Sequence, residues 1–384
     1  VQYDESALKG FCQQIFACLP RSDQRRYAEV YLRGLLHSGP RKSMQRIAAE
    51  IPGQHSGQSL QQFVNQSTWD PQAVRRRTAG LVHDTINPAA WIIDEVAFPK
   101  NGRYSAGVER QYARALGKVI NCQIGLAAAL TSPKLSVPVN WKLCLPESWD
   151  YDETRRARAH VPDTVRHESP WMHAIELVDD MSVEWGLPVA TVVCDMSQCC
   201  TADAYLTAMD SRSLDYIVQV NSRHLVRMNP PCQRTRAAVP AGPGPGRVVP
   251  LVDVATMVQR VTRQTVIWEG GPDGRTLRSQ FIVVQVRYVD GRDFEVHSGP
   301  RRLLMEWPLG KPHPKAYWLT NLMDWPIDDL VSLAKLTWRS SQSIGELTEG
   351  FGLDRYEGRS YLGWHHHVTL ASAAYAFHVA NAKR

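Results

Sequence analysis

The sequence predicts a mixed α/β fold: a helical opening, strands that end on carboxylates, a β-rich interruption and a helical close. Three observations predict it. Apolar residues recur at helical spacing over the first eighty positions, and two short apolar runs each finish on an aspartate. A stretch rich in Pro, Gly and strand formers then intervenes before two further helical patterns. At 384 residues the chain exceeds the size at which one core usually keeps growing, so two or three units are expected.

Taken in order, Ala28, Val30, Tyr31 and Leu35, then Ile47 and Ala48, then Leu60, Phe63 and Val64 suit helical faces. Gly39-Pro40 and Pro52-Gly53 punctuate them. Trp91-Ile92-Ile93 reads as a buried strand that ends on Asp94, and strands are expected around 105–111 and 119–128. A helix follows at 172–185. The β-branched run at 189–193 delivers a second carboxylate, Asp195, and a helix at 202–209 precedes a buried strand at 216–220.

From about 223 to 315 the alternation breaks. Pro240, Gly242, Pro243, Gly244, Pro245 and Gly246 make a loop, and strands are expected at 265–268, 281–288 and 303–307. Helices close the chain at 327–348 and 364–382, with Gly352-Leu353-Asp354 and Gly358 between them. The segments so defined are a helical domain at 1–85, the first part of a core at 86–222, a β-rich insertion at 223–322 and helices at 323–384 that complete the core.

Hydrophobic residues at 43% and charged residues at 21% are near globular averages. No run approaches the roughly 18 apolar residues of a membrane span, so no membrane partner is expected. The opening VQYDESALKGFCQQIF lacks a basic segment followed by an apolar one, which predicts a cytoplasmic protein with reduced thiols. Its eight cysteines form no C-x-x-C element of the kind that builds zinc or redox centres.

A net charge of +6 is compatible with a polyanionic partner and decides nothing alone. Its distribution is more telling: Arg41, Lys42, Arg46 and the run Arg75-Arg76-Arg77 concentrate positive charge in the helical segment, where they are candidates for phosphate contact. The ordinary alternative is a solvated face of a structural helical domain.

Two aspartates at strand ends can converge on one sheet edge and hold a hard cation such as Mg2+. An aspartate there is more often a turn residue or a helix cap. Cys194, Cys199 and Cys200 beside Asp195 offer thiols, which serve as nucleophiles when a base is near but more often pack a core. The run His365-His366-His367 invites a metal reading, yet consecutive helical residues point about 100° apart and cannot all meet one ion.

The strings LPRSDQRRYAEVYLRGLL, SLQQFVNQSTWD, WIIDEVAFPKNGRYSAGVERQY, GKVINCQIG, PVNWKLCLPESW, DYIVQV, YWLTNL and GLDRYEGRSYLGWHHHVTLASAAYAF resemble bacterial insertion-sequence transposases of the DDE type, in the IS-four-like branch common in actinobacteria. The similarity runs from about Phe11 onward. It implies a ribonuclease-H-like core with a β-rich insertion behind a helical DNA-binding region. It also implies two magnesium ions held by Asp, Asp and Glu for DNA hydrolysis and strand transfer. By motif, Asp94 and Asp195 take the first two places.

For the third, the resemblance implies Trp-Arg-apolar-Glu, with a Lys seven residues after the Glu and Gly-Leu beyond. Here the segment reads Trp338-Arg339-Ser340-Ser341, and counting back from Gly352-Leu353 puts Ser341 at the Glu and Thr348 at the Lys. At about 100° per residue Glu346 points about 140° away from Ser341, and Glu349 about 80° away. The expectation is a transposase-like protein that binds duplex DNA with weakened Mg2+ binding and impaired or lost cleavage. Two alternatives stay open: an active transposase using a displaced acid, and a fold repurposed for a small-molecule substrate. A homodimer is compatible with either.

Overall fold

The computed structural model describes residues 3–37, 44–50, 56–199, 202–228, 248–258, 261–270, 275–288 and 299–381. The chain opens with α1 (Glu5–Phe16), α2 (Ser22–Leu36), α3 (Met44–Glu50), α4 (Gly57–Gln66) and α5 (Pro71–Ile86). Short polar side chains start three of them, since the first N–H groups of a helix lack internal partners. Asp4 accepts from Ser6 N, Ser56 from Ser59 N and Asp70 from Gln72 N, with Pro71 preset at the first position of α5. Asn87, in the left-handed region at φ 46°, stops α5.

Four strands follow: β1 (Ala90–Pro99), β2 (Glu109–Ala113), β3 (Lys118–Thr131) and β4 (Ser136–Cys144). Then come α6 (Glu153–Arg158), α7 (Pro170–Asp179), β5 (Thr191–Asp195), α8 (Ala202–Ser211), β6 (Tyr216–Val220), β7 (Leu225–Met228), β8 (Val248–Pro250), α9 (Leu251–Met257) and β9 (Gln264–Gly270). The remainder is β10 (Arg275–Tyr288), β11 (Pro300–Trp307), β12 (Ala316–Thr320), α10 (Ile327–Lys335), α11 (Thr337–Phe351) and α12 (Tyr361–Asn381). This is the mixed α/β class expected. None of the described helices is long and apolar enough to cross a membrane.

The chain divides into two compact units. The first comprises Val1–Pro88, Ile93–Pro188 and Arg339–Arg384, so the helices of 1–85, expected as a domain of their own, share a unit with strands and with the last two helices. The reason is α12. It is buried on almost every side, as an all-round apolar helix must be, and packs on α2, α4, α5 and β4. Trp364 of α12 meets Phe98 of β1 and Trp141 of β4 edge-on, with ring centroids 5.3 and 6.3 Å away. Gly125 of β3 admits that indole: a Cβ there would lie 2.8 Å from the Trp364 ring.

Within this unit β3 pairs antiparallel with β2 through its first half and with β4 through its second. Strand β4 was not expected, although Val137, Val139, Trp141 and Leu143 alternate as a strand should. Strand β1 runs on through Asp94 to Pro99 instead of ending there. The side chains of Val96 and Phe98 are buried, so the apolar pattern continues past the carboxylate.

The second unit comprises Ala89–Ile92 and Val189–Trp338. Its sheet is mixed, in the order β5-β6-β12-β11-β10-β7-β8 with β9 on β10. Only β5 and β6 run parallel among the pairs within it whose register is defined. The strands between β7 and β11 extend this sheet. Glu306 of β11, fully buried, is paired with Lys335 of α10 at 2.5 Å and with Lys315 at 3.0 Å. The Lys335 ammonium also lies 4.5 Å from the Trp268 ring and 4.9 Å from Trp318, which offset its loss of water.

The helix expected over 327–348 is two helices, α10 and α11, separated at Leu336.

Candidate active site

Asp94 lies in the middle of β1, half-buried between Ile93, which faces the core, and Glu95. One carboxylate oxygen accepts from the backbone N–H of Glu95 at 2.9 Å. The other lies 3.5 Å from the hydroxyl of Ser341, which donates to it from the exposed face of α11. Residues 247 positions apart are thus brought together by the packing of α11 within the first unit. A carboxylate and a hydroxyl side by side offer oxygen ligands carrying one negative charge between them.

Five residues further along α11, Glu346 turns elsewhere. Its carboxylate accepts from the Tyr375 hydroxyl at 2.7 Å and from the Gln342 amide at 2.9 Å. The partner Tyr375 comes from α12, and no local motif signals it. Thr348, a neutral residue where the resemblance implies a lysine, donates to the carbonyl of Ile344 on its own helix at 2.7 Å.

Asp195 closes β5 in the second unit, as the β-branched run predicts. Its carboxylate accepts from the N–H of Ser197 at 2.8 Å, forming an Asx turn at the strand end. Cys194 just before it is buried against the core, and Cys199 is partly exposed. Cys200 lies outside the described residues.

The basic candidates separate sharply. Arg75 is a correction: it is buried, and its guanidinium is consumed inside the protein. It donates to Thr369 Oγ1 at 2.7 Å, Trp141 O at 2.8 Å, Asn140 Oδ1 at 3.3 Å, and His365 Nδ1 and O at 3.0 and 3.2 Å. Burial lowers its pKa to about 10. No donor is left for a phosphate. A helix turns about 100° per residue, so one member of an Arg-Arg-Arg run on a packed helix must face inward. Arg76 and Arg77 are exposed, as is Arg46 on α3, while Arg41 and Lys42 lie outside the described residues.

All three consecutive histidines of α12 are buried and turned to internal partners. His365 Nδ1 accepts from Arg75; His366 sits between the carbonyls of Val64 and Trp69, at 2.8 and 2.9 Å, and stacks on the Trp69 ring. His367 accepts from the Tyr31 hydroxyl at Nδ1, at 2.8 Å, and its Nε2–H donates to the carbonyls of Gly352 and Leu353 at 3.0 and 3.1 Å. They bolt α12 to the N-terminal helices.

Burial pushes His365 well below its ordinary pKa of 6.5 and His367 down to about 4. Both are therefore neutral when folded, whereas the unfolded chain takes up protons below about pH 6.5. Stability is full above that pH and falls as the pH drops toward 4. The two extra protons that His365 and His367 take up in the unfolded chain alone contribute a slope of up to about 2.7 kcal/mol per pH unit. Urea midpoints followed from about pH 7.5 down to about pH 5, across the ordinary histidine range, should show this decline. His367→Gln should flatten it.

Residues 14–275 match the family described as DDE superfamily endonuclease. The chain belongs to the DDE superfamily endonucleases. It is also 27% identical over 224 residues to a protein of Microchaete diplosiphon described as "Probable transposase for insertion sequence element IS701". That match covers 57% of this chain and 55% of the relative, so the chain spans about half the length of the curated relative it matches. A mixed α/β chain with a large mixed sheet is compatible with a ribonuclease-H-like DDE domain. The family range includes Asp94 and Asp195 and stops short of Ser341.

Proposed function

We propose that this DDE-superfamily protein is transposase-like, of the actinobacterial IS-four-like type, and binds duplex DNA while its phosphodiester cleavage and strand transfer are impaired or lost. The observation that carries the reading is the 3.5 Å approach of Ser341 Oγ to Asp94. The residue facing the first aspartate from the helix beyond the β-rich stretch is neutral, where the family resemblance implies a glutamate.

Asp94 and Asp195 are the proposed metal ligands, with Mg2+ as the proposed ion. Two closely spaced divalent ions require several anionic oxygens to offset their mutual repulsion. In the first unit Asp94 and Ser341 offer a single charge, a set that fits one weakly held ion better than two. The chain's own part is then limited to presenting the Asp94 carboxylate, fixed by Glu95 N–H, with the Ser341 hydroxyl beside it. An active enzyme using Glu346 as a displaced acid is not favoured, because Tyr375 and Gln342 hold that carboxylate.

The helical segment 1–85 is the proposed DNA-gripping region and 223–322 the proposed insertion. Arg46, Arg76 and Arg77 are the phosphate-binding candidates within the described residues, with Arg41 and Lys42 beside them in sequence. Binding of full-length protein to a labelled duplex should weaken steeply with salt, while Mg2+ or Mn2+ should produce no nicks. Removing one arginine that neutralises a phosphate lowers the salt slope by about 0.9, so Arg76→Ala with Arg77→Ala should lower it by about 1.8. Absence of duplex binding at low salt removes the reading.

A further inference from the structure

In the first unit three side chains at the start of α7 point their ligand atoms at one spot. His173 Nδ1 lies 3.4 Å from Glu168 Oε2 and 3.2 Å from Glu176 Oε2, and the three atoms all lie within 4.8 Å of one another. Around a tetrahedral ion with bonds of about 2.05 Å, neighbouring ligand atoms are about 3.3 Å apart. The two shorter separations match that edge.

The local sequence explains the convergence. Pro170 starts α7, leaving Glu168 just outside the helix. His173 and Glu176, three residues apart, share one helix face. The His173 side chain is buried, at 7% exposed. Within its ring Nδ1 faces both carboxylates and Nε2 has no hydrogen-bond partner. Glu168 Oε2, although aimed at the same spot, is buried without a hydrogen bond.

A lone pair on Nδ1 facing two carboxylate oxygens is repulsive unless a cation stands between them. A proton on Nδ1 is one such cation: it serves Glu176 Oε2 at 3.2 Å and leaves Glu168 Oε2, 3.4 Å away, without a hydrogen bond. An imidazolium would carry the charge more fully; like an imidazole bound to a metal through Nδ1, it would keep a proton on the unpartnered Nε2. A divalent metal satisfies all three ligand atoms at once, with the neutral imidazole keeping its one ring proton on Nε2.

We propose that Glu168, His173 and Glu176 form a binding site for one divalent transition-metal ion of the zinc class, with water completing its coordination. One imidazole and two carboxylates suit zinc in such open sites. Lys142 Nζ, 3.2 Å from Glu176 Oε2, is the competing cation. It can retire toward Asp180, whose Oδ2 lies 3.7 Å from it and is fixed by Gln72 and Asn140 at 3.0 and 3.1 Å. This site is independent of the Asp94 reading and of any DNA chemistry.

The test uses untagged full-length protein stripped with chelator and titrated with Co2+ as a spectroscopic stand-in for Zn2+. The expected result is one equivalent of Co2+ giving visible d–d absorption without a thiolate charge-transfer band, displaced by Zn2+. His173→Ala should abolish the absorption. Glu168→Gln, at a half-exposed position that should not disturb folding, should weaken Zn2+ affinity at least about tenfold and remove the Zn2+-induced rise in melting temperature. Asp94→Ala should leave both readouts intact. No metal-dependent signal, a thiolate-type spectrum, or binding unchanged in His173→Ala and Glu168→Gln overturns the proposal.

Discussion

Ser341→Glu is expected to raise the nicking of DNA when Mg2+ or Mn2+ is present. The substitution places a second carboxylate beside Asp94, where Ser341 Oγ now stands 3.5 Å away. Without metal the two charges repel and the variant should melt below the parent. With metal that order should reverse, because an ion between carboxylates gains from both. Nicking of a supercoiled plasmid should rise on the order of 10²–10³-fold over the parent, the scale at which one preorganised electrostatic partner acts. Asp94→Ala added to Ser341→Glu should erase the gain. If Ser341→Glu shows neither metal-dependent nicking nor metal-dependent stabilisation, Ser341 does not occupy the position of a lost acid.

Arg75→Ala is expected to be the most damaging arginine substitution in the helical segment, and to act through stability. It empties a buried volume and leaves the carbonyl of Trp141 and Nδ1 of His365 without their donor. Two orphaned buried acceptors at about 1–3 kcal/mol each, with the cavity added, give a loss of about 3–6 kcal/mol. Arg75→Lys keeps the charge but not the planar fork, so it should recover only part. The urea midpoint reads this directly. The salt slope of DNA binding, taken where the variant is still folded, should stay at the parent value; a normal midpoint with a lowered slope would return Arg75 to the DNA-binding set.

Much of this architecture is legible in the residues. The β-branched run before Asp195 gives β5 and its carboxylate end, and the helical spacing of Leu60, Phe63 and Val64 gives the buried face of α4. The strand through Asp94 was expected to stop at the carboxylate because a half-buried charge looks like a terminus. Val96 and Phe98, buried further along, carry β1 on to Pro99. Strand β4 has the right alternation, but Pro138 and the polar Asn140 and Lys142 mask it.

The functional candidates divide in the same way. That Glu346 points away from Ser341 follows from helix geometry, whereas the Tyr375 hydroxyl that holds it depends on packing between distant helices. The same limit applies to Arg75. A triplet of arginines reads as one basic patch in one dimension, and only the seat of α5 against β4 and α12 decides which member turns inward.

The position of α12 also bears on how the polypeptide is made. Its partners α2, α4, α5 and β4 all lie more than two hundred residues upstream, so during synthesis their apolar faces wait for the helix that will cover them. The helices α2, α4 and α5 are thus completed late, while the run from Val189 to Trp338 can condense earlier. Such distant closure slows folding and lengthens exposure. Ribosome-bound chains stalled before Tyr361 should therefore be protease-sensitive in their opening helices and good clients for chaperones.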